Sequence, residues 1–281
     1  MKKLLFLCLC GLSSWMANAQ KPTGYSLIRT MPDKGKADSI KNVLREMDPR
    51  PFEALSFRTV CYRLMKPQSL QKHKRYPLVL VLHGSGAVGT DNNSQLGLLA
   101  KLWAQPRIRR NYPAFVVAPQ FPERSSNYVM DSSRHTLVSE PGPNTNTVLA
   151  LVDSLKKVLP VDGRRIYVIG FSMGASSVIN SIGLRPDLFA AGVAISGVPD
   201  FDHLPALEAT PLWVVHGNAD TENPYRTDSI LIRTLQGRQL RAWEIDQLQH
   251  EIYSELYTTD LLPEWLFSHT RWFTWQSSMQ E

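Results

Sequence analysis

The sequence is poor in cysteine, and this limits how the chain can be held together. Its 281 residues include three cysteines, at positions 8, 10 and 61. The first two lie in an N-terminal segment that we expect to be removed. Cys61 would then be alone, so an intramolecular disulfide is excluded even in an oxidising compartment.

Apolar runs long enough to span a membrane are also absent. A short run at 4–12 follows Met1-Lys2-Lys3 and precedes Ala17-Asn18-Ala19. A positive start, a short apolar core and an A-x-A end predict a secretory signal peptide over residues 1–19, cleaved after Ala19. A lipoprotein signal is disfavoured, because leucine precedes both early cysteines where a small residue is needed. We therefore expect export to the periplasm or outside the cell, with no membrane span after cleavage.

The chain has no strong excess of one charge. Its net charge of +6 becomes +4 once Lys2 and Lys3 are lost with the signal. Two short basic runs, at 72–75 and 107–110, lie in connections and have no interleaved aromatic residues. We interpret them as solvated loops, and we expect no nucleic-acid partner.

Buried-strand patterns alternate with helical patterns along most of the chain, without internal repeats. We divide it into the signal peptide, an N-terminal lead-in at 20–55 and one domain at 56–281. Strands are predicted at 56–65 (an edge strand), 78–82, 114–118, 165–169, 191–195, 212–215 and 241–245. Helices are predicted at 37–47, 94–104, 145–159, from the serine motif to 184, at 228–235 and at 261–268. The alternation predicts an α/β fold with a mostly parallel central sheet and helices on both faces. The segment 120–143 reads as a long irregular loop, and 195–211 leaves room for only a minimal lid.

One short motif carries most of the chemical information. Gly170-Phe171-Ser172-Met173-Gly174 follows an apolar strand and precedes small residues that begin a helix. In such a strand–turn–helix the glycines permit a crowded turn, which exposes the serine hydroxyl at the end of the sheet. We predict that Ser172 is a nucleophile, with a structural serine as the alternative.

A serine hydroxyl needs a base, which is normally a histidine oriented by a carboxylate. Of the histidines far enough downstream, His250 follows the last strand in a loop, whereas His269 falls in the terminal helix. We predict His250 as the base. Asp220 follows the strand 212–215 and is the predicted acid; Asp200 and Asp202 compete for this role one strand earlier, and Glu222 is a near neighbour. A metal pair formed by His216 and Asp220 is disfavoured, because no third ligand is in register.

A developing oxyanion requires preorganised donors. One is the backbone N–H of Met173, directly after the nucleophile. The other should come from the glycine-rich loop after the strand 78–82, where we choose the N–H of Ser85, with Gly86 as the alternative and His83 bracing the loop. The same loop matches G-x-G-x-x-G at 84–89, but the helix does not open at once and the next strand ends without an acid. A dinucleotide site is therefore disfavoured, and we expect no cofactor.

Several blocks together resemble the α/β-hydrolase superfamily. These are YPLVLVLHGSG at 76–86, GTDN at 89–92, VAPQ at 117–120, RIYVIGFSMG at 165–174 and HGNAD at 216–220. Over about 56–272 the chain looks most like secreted bacterial esterases related to the phospholipase/carboxylesterase and prolyl-oligopeptidase-like families. It departs from them at Gln249, where glycine usually precedes the histidine.

The resemblance implies a secreted serine hydrolase that cleaves carboxylic esters, with acyl or feruloyl decorations on carbohydrate among the candidate substrates. A serine peptidase acting on short peptides is the second interpretation. A non-catalytic binding protein on the same fold is the third, and the presence of every expected catalytic side chain counts against it. The sequence leaves the oligomeric state open.

Overall fold

The computed structural model describes residues 24–235 and 239–271, so the predicted signal peptide lies outside the described residues. A nine-stranded sheet forms the centre of the molecule. In chain order its strands are β1 (Tyr25–Ile28), β2 (Phe52–Phe57), β3 (Val60–Met65), β4 (Tyr76–Leu82), β5 (Phe115–Gln120), β8 (Val161–Phe171), β9 (Ala191–Ile195), β10 (Leu212–Gly217) and β11 (Leu240–Ile245). A separate hairpin consists of β6 (Ser126–Asp131) and β7 (Thr136–Pro141).

Nine α-helices lie within the described residues. They are α1 (Lys34–Glu46), α2 (Leu98–Leu102), α3 (Pro106–Asn111), α4 (Thr145–Val158), α5 (Met173–Leu184), α6 (Leu204–Ala209), α7 (Arg226–Thr234), α8 (Glu255–Thr258) and α9 (Leu261–Phe267). None of these helices has the length and apolar character that crossing a bilayer would require.

The sheet order is β1-β11-β10-β9-β8-β4-β5-β3-β2, and all neighbours pair in parallel except β2–β3 and β3–β5. Alternate side chains of the central strands enter two separate cores. Leu78 and Leu80 pack with α4 and α5 on one face. Val79 and Val81 pack with α1, α2 and α9 on the other. The predicted α/β class with a mostly parallel sheet covered on both faces is confirmed. Between β9 and β10 the chain forms only α6, which agrees with a minimal lid.

The N-terminal lead-in is not separate from the domain where it is described. Tyr25–Ile28 pairs in parallel with β11 and forms one edge of the central sheet. Tyr25 also donates a hydrogen bond of 2.5 Å to Glu244 on that neighbouring strand. The predicted edge strand at 56–65 is instead a hairpin of β2 and β3, so the true edge begins at Phe52. The boundary that we predicted near residue 56 therefore falls within this hairpin.

The stretch predicted as an irregular loop, 120–143, contains the hairpin β6–β7. Polar contacts attach it to α5, the helix that follows the serine motif. Ser126 donates to Asn180 at 2.5 Å, and Ser177 bonds to Ser125 at 2.7 Å. These four side chains are buried, so each bond replaces water that the polar groups lose on folding. A buried polar seam of this kind gives no hydrophobic alternation, which explains why the sequence pattern predicted a loop.

The helix expected at 94–104 is shorter than predicted. Asp91 accepts hydrogen bonds from the backbone of Asn93 and Ser94, which fixes a turn before the helix. Gly97 then takes an extended conformation, and α2 begins at Leu98. The apolar spacing upstream of Leu98 therefore belongs to a turn packed against the core.

Candidate active site

Ser172 occupies a strained turn between β8 and α5. Its backbone φ of 58° lies in the left-handed region, which non-glycine residues seldom adopt. A Cβ on Gly170 would lie 2.3 Å from the carbonyl oxygen of Gly174, and a Cβ on Gly174 would lie 2.2 Å from that of Leu82. Only glycine fits at either position, so the sequence motif and the sharp turn require each other. The turn leaves Ser172 half-buried, at the carboxyl end of its strand.

Three predicted site residues meet at this turn. The Oγ of Ser172 lies 2.9 Å from Nε2 of His250, and Nδ1 of His250 lies 2.7 Å from Oδ2 of Asp220. These contacts join residues that are 78 and 30 positions apart in the chain. The hydroxyl can donate to Nε2 while Nδ1–H donates to the carboxylate, which is the arrangement that activates a serine for nucleophilic attack.

Asp220 is held on both of its oxygens. Oδ1 accepts backbone N–H bonds from Glu222 and Asn223, each 2.9 Å long. Oδ2 faces His250 at 2.7 Å and Nε2 of His216 at 3.2 Å. Burial by itself raises the pKa of this carboxyl, but the hydrogen bonds from the two histidines and from Asn223 outweigh it and lower the pKa to about 2. Asp220 is therefore a carboxylate with a fixed orientation.

The competing residues make other contacts. Asp200 accepts from His203 at 2.9 Å and follows β9, which is two strands away from β11, the strand that precedes His250. Glu222 approaches Nε2 of His250 to 3.7 Å, but 73% of its side chain is exposed. His269 lies just beyond the end of α9, where its Nδ1 is 2.8 Å from the carbonyl oxygen of Trp265. Of the acids weighed from the sequence, Asp220 is the one placed to orient Nδ1 of His250.

The loop after β4 lies beside the nucleophile. A Cβ on Gly84 would be 3.6 Å from the Cβ of Ser172. The next three residues form a short 3₁₀ turn, Ser85–Ala87, whose backbone bonds use the N–H groups of Ala87 and Val88. The N–H of Met173 is the first in α5 and so has no acceptor within that helix. This geometry is compatible with the predicted donors at Ser85 and Met173, with Gly86 still an alternative to Ser85.

His83 holds this loop in place through both of its ring nitrogens. Its Nε2 accepts from the backbone N–H of Phe121 at 2.9 Å, and its Nδ1 lies 2.8 Å from the carbonyl of Gly84. Both contacts fit a neutral imidazole with its proton on Nδ1. Burial lowers the pKa of His83, which favours the same neutral form. The ring thus fixes the loop without being placed to exchange a proton with Ser172.

The glycine motif and the suggested metal pair have structural roles here. The residues 84–89 contain the 3₁₀ turn Ser85–Ala87, and α2 begins only at Leu98, so no α-helix follows the glycine motif directly as a phosphate site would require. In the part of the chain that the structure describes, no three His, Cys, Asp or Glu side chains are grouped as a metal ion would require. His216 and Asp220 are indeed neighbours, but as members of a hydrogen-bonded chain.

Two features of the site were not predicted from the sequence. Fully buried His216 bridges Asp220 and Asp228, with Nδ1 lying 2.7 Å from Oδ2 of Asp228. The ring of Phe171 lies 4.9 Å from that of His250, so the residue before the nucleophile also packs against the base. The spacing of His216 and Asp220 in the sequence was a usable signal that the two side chains are neighbours. Asp228 gave none, because an acid in the first turn of a helix is ordinarily a surface residue.

Comparison with known proteins finds similar sequences and similar solved structures. Acetylxylan esterase A of Emericella nidulans is 35% identical over 88 residues, which are 31% of this chain and 29% of the relative. A solved thermostable esterase is 30% identical, with 79% of this chain and 64% of that chain covered and a TM-score of 0.71. The acetyl xylan esterase from Aspergillus awamori is 18% identical, with 77% and 98% covered and a TM-score of 0.56. No family model matches the chain.

The matches cover only part of the length of two of these proteins. The match spans less than a third of the curated relative's length, and the thermostable esterase is covered over 64% of its chain. The two solved structures have the same central architecture as this molecule. The likeness therefore establishes the fold, and the reaction must be argued from the site.

Proposed function

We propose that this chain, which has the α/β-hydrolase fold, is a serine hydrolase that cleaves carboxylic esters through an acyl-enzyme. The observation that carries the proposal is the continuous contact from Ser172 through His250 to Asp220, at 2.9 and 2.7 Å, on a strained turn at the end of the sheet. Backbone strain of this kind is expensive and is concentrated at functional sites. Ser196 has a similar φ of 53°, but its hydroxyl has no hydrogen-bond partner among the described residues, so the contact with His250 is what distinguishes Ser172.

In the first half of the reaction Ser172 Oγ attacks the ester carbonyl carbon while His250 Nε2 takes the hydroxyl proton. Asp220 keeps Nδ1 protonated and stabilises the imidazolium that forms. The carbonyl oxygen becomes an oxyanion, which the backbone N–H groups of Met173 and Ser85 would bind. His250 then gives its proton to the departing alcohol, and the acyl group remains on Ser172.

Hydrolysis of the acyl-enzyme completes the cycle, and water takes the place of the serine hydroxyl as the nucleophile. His250 Nε2 removes a proton from a water molecule, which attacks the acyl carbon, and the second tetrahedral oxyanion uses the same donors. Collapse of this intermediate returns the proton from Nε2 to Ser172 Oγ and releases the carboxylic acid. No step requires a cofactor.

The names of two similar proteins support a proposal for the substrate class. Two of those compared above are named acetylxylan esterases. We propose esters on carbohydrate, with acetyl or larger acyl groups such as feruloyl, as the substrates of this chain. Small-molecule esters of the same acyl groups would also be accepted, because the described residues build no large lid between β9 and β10.

A serine peptidase is the second candidate, since the same triad cleaves amides. What favours esters is the part of the molecule at residues 24–55, which forms β1, α1 and β2 of this one domain. It therefore supplies no propeller domain of the kind that selects short peptides. A non-catalytic binding protein is the third interpretation. It does not explain the backbone strain at Ser172 together with the contact between Ser172 and His250.

The deciding experiment uses the purified protein and a substrate panel. It comprises nitrophenyl esters of increasing acyl length, acetylated xylo-oligosaccharides, feruloylated sugars and short peptides. We expect turnover of esters, with acetate or ferulate released from the sugars. Turnover of peptides alone would assign the chain to the peptidases, and no turnover of any substrate would favour a binding protein.

We also propose that the protein is exported. Residues 1–19 have the composition of a secretory signal peptide, with a cleavage site after Ala19. A periplasmic or extracellular location suits an enzyme whose substrates are esters on carbohydrate.

A further inference from the structure

A compact pocket of about 220 Å³ adjoins the nucleophile. Its wall includes Phe171, which precedes Ser172 in the chain, and Gly84, where a Cβ would lie 3.6 Å from the Cβ of Ser172. Most of the wall is apolar, with Leu82, Leu98, Leu99 and Ile252 among its members. The volume is below the range of about 300–1,000 Å³ that holds a whole drug-sized ligand, so the pocket suits one compact group of a larger substrate.

Few polar side chains line this pocket, and most of them already have partners. Both ring nitrogens of His83 are engaged, by Gly84 and by Phe121. The hydroxyl of Ser94 donates to Asp91 at 2.6 Å. The exception is Gln95, whose side-chain oxygen Oε1 has no hydrogen-bond partner among the described residues although only 2% of Gln95 is exposed.

The orientation of this amide is set by its neighbours. Asn92 donates through Nδ2 to the carbonyl of Leu55 at 3.2 Å, so its Oδ1 must point the other way. That Oδ1 accepts from Nε2 of Gln95 at 2.6 Å. Asn92 is itself fixed, because its backbone N–H donates to Gln120 at 2.5 Å. A flipped Gln95 would place two acceptors face to face, so Oε1 is the atom that is left as an acceptor.

A buried acceptor without a donor costs free energy, which a bound donor restores. We propose that this pocket binds an apolar group of the ester substrate that carries one hydroxyl, and that Gln95 Oε1 accepts a hydrogen bond from that hydroxyl. A para-hydroxyphenyl group has this chemistry: a flat apolar ring with a single donor at its far end. The inference rests on the proposed ester hydrolysis and assigns a specificity determinant to it.

The hydroxyl could belong to the acyl group or to the alcohol, and two pairs of matched esters distinguish these sources. The acyl pair is methyl para-hydroxyphenylpropanoate and methyl phenylpropanoate. The alcohol pair is para-hydroxyphenylethyl acetate and phenylethyl acetate. Because a site built to bond a hydroxyl discriminates against the analogue that lacks it, we expect kcat/KM of the wild type to favour the hydroxylated ester by about tenfold in one pair.

The variant Gln95→Met keeps the length of the side chain and removes the acceptor. We expect the ratio of kcat/KM between the hydroxylated and the unsubstituted ester to fall to about one in this variant. Gln71→Met makes the same chemical change on an exposed loop and should retain the preference. Circular dichroism and thermal unfolding establish that each variant is folded. The wild-type ratio stands without any variant should Gln95→Met not fold.

The possible outcomes distinguish a failure of this inference from a failure of the proposed ester hydrolysis. A wild-type ratio near one in both pairs would mean that Oε1 binds only a resident water, and would overturn the inference while leaving ester hydrolysis intact. A preference that persists in Gln95→Met would also overturn it, because the hydroxyl would then bind elsewhere. Absence of hydrolysis of all four esters would instead contradict the proposed function.

Discussion

The ring nitrogens of His216 and His250 both face the same carboxylate oxygen of Asp220, at 3.2 and 2.7 Å. Nε2 of His216 also lies 2.8 Å from the carbonyl oxygen of Asn223, which can only accept, so this nitrogen carries a proton. On its other side Nδ1 meets Asp228, and the ring of Tyr225 packs edge-on at 5.7 Å. The candidate triad is therefore extended by two buried residues, and a second imidazole shares its carboxylate.

The first prediction concerns the protonation of His216. Burial opposes the charged form, but the bonds to Asp220 and Asp228 outweigh it and raise the pKa from 6.5 to about 9. A raised pKa gives stability that is complete below 6.5 and is lost as the pH rises through about 9. We expect the wild-type free energy of unfolding to fall by about 1–3 kcal/mol across this window. Urea titrations at several pH values measure it.

The matched control for this prediction is the double variant His216→Gln/Asp228→Asn, which removes the charge pair without leaving Asp228 unpaired. Its unfolding free energy should be nearly independent of pH between 6.5 and about 9. Asp220 acts in the opposite sense, since its lowered pKa gives stability that is lost as the pH falls from 3.8 through about 2. The same slope in the wild type and the double variant above 6.5 would contradict a charged His216.

The second prediction concerns the nucleophile. Ser172→Ala removes the covalent route but keeps the oxyanion donors, so kcat should fall by about 10⁴- to 10⁶-fold. A fluorophosphonate probe should label the wild type once and the variant not at all, as intact mass would record. Labelling that survives in Ser172→Ala would place the nucleophile elsewhere.

The third prediction separates the two candidate acids. Asp220→Asn should leave the fold intact and lower kcat by about 10⁴-fold, because an amide favours the wrong tautomer of His250. Asp200→Asn is the matched control, since Asp200 bonds His203 and Asn180 rather than His250. Steady-state kinetics on one nitrophenyl ester compares them. A larger loss in Asp200→Asn would move the acid one strand earlier.

The fourth prediction separates esters from amides. Amide cleavage needs a well-placed acid to protonate a poor leaving group, whereas an alcohol leaves more readily from an open site. We expect kcat/KM for an ester to exceed that for the anilide of the same acyl group by at least about 10³-fold, or roughly 4 kcal/mol of barrier. Comparable rates, or cleavage specific for proline peptides, would favour the peptidase.

The fifth prediction concerns export. Expressed with its own N-terminus, the mature protein should begin at Gln20, and its mass should not change with reductant because Cys61 alone remains. Intact-mass analysis of the exported fraction decides this. A mass that retains residues 1–19, or that carries lipid on Cys8 or Cys10, would contradict it.

The fold class was predictable because buried parallel strands give continuous apolar runs. Several elements were not predicted: the helices α3, α6 and α8, the strand β1 and the hairpin β6–β7. Of these, α3 contains the basic run 107–110 that we interpreted as a solvated loop. The strand Tyr25–Ile28 is only four residues long and lies at the sheet edge, so its pattern was too short to identify. The hairpin β6–β7 attaches to α5 through serine and asparagine side chains, and polar residues without alternation predict a loop.

By itself the sequence determined the chain order of the parallel strands from 78–82 to 241–245. It also determined the position of Ser172, because a tight turn between a buried strand and a helix needs glycine at 170 and 174. It also placed Asp220 and His250 after strands of one parallel sheet, whose carboxyl ends meet at the same edge. Only the tertiary structure selected Asp220 over Asp200, joined His216 to Asp228 and left Gln95 Oε1 without a donor. These relationships depend on distances of about 3 Å between residues far apart in the chain, and such distances are fixed by packing rather than by local pattern.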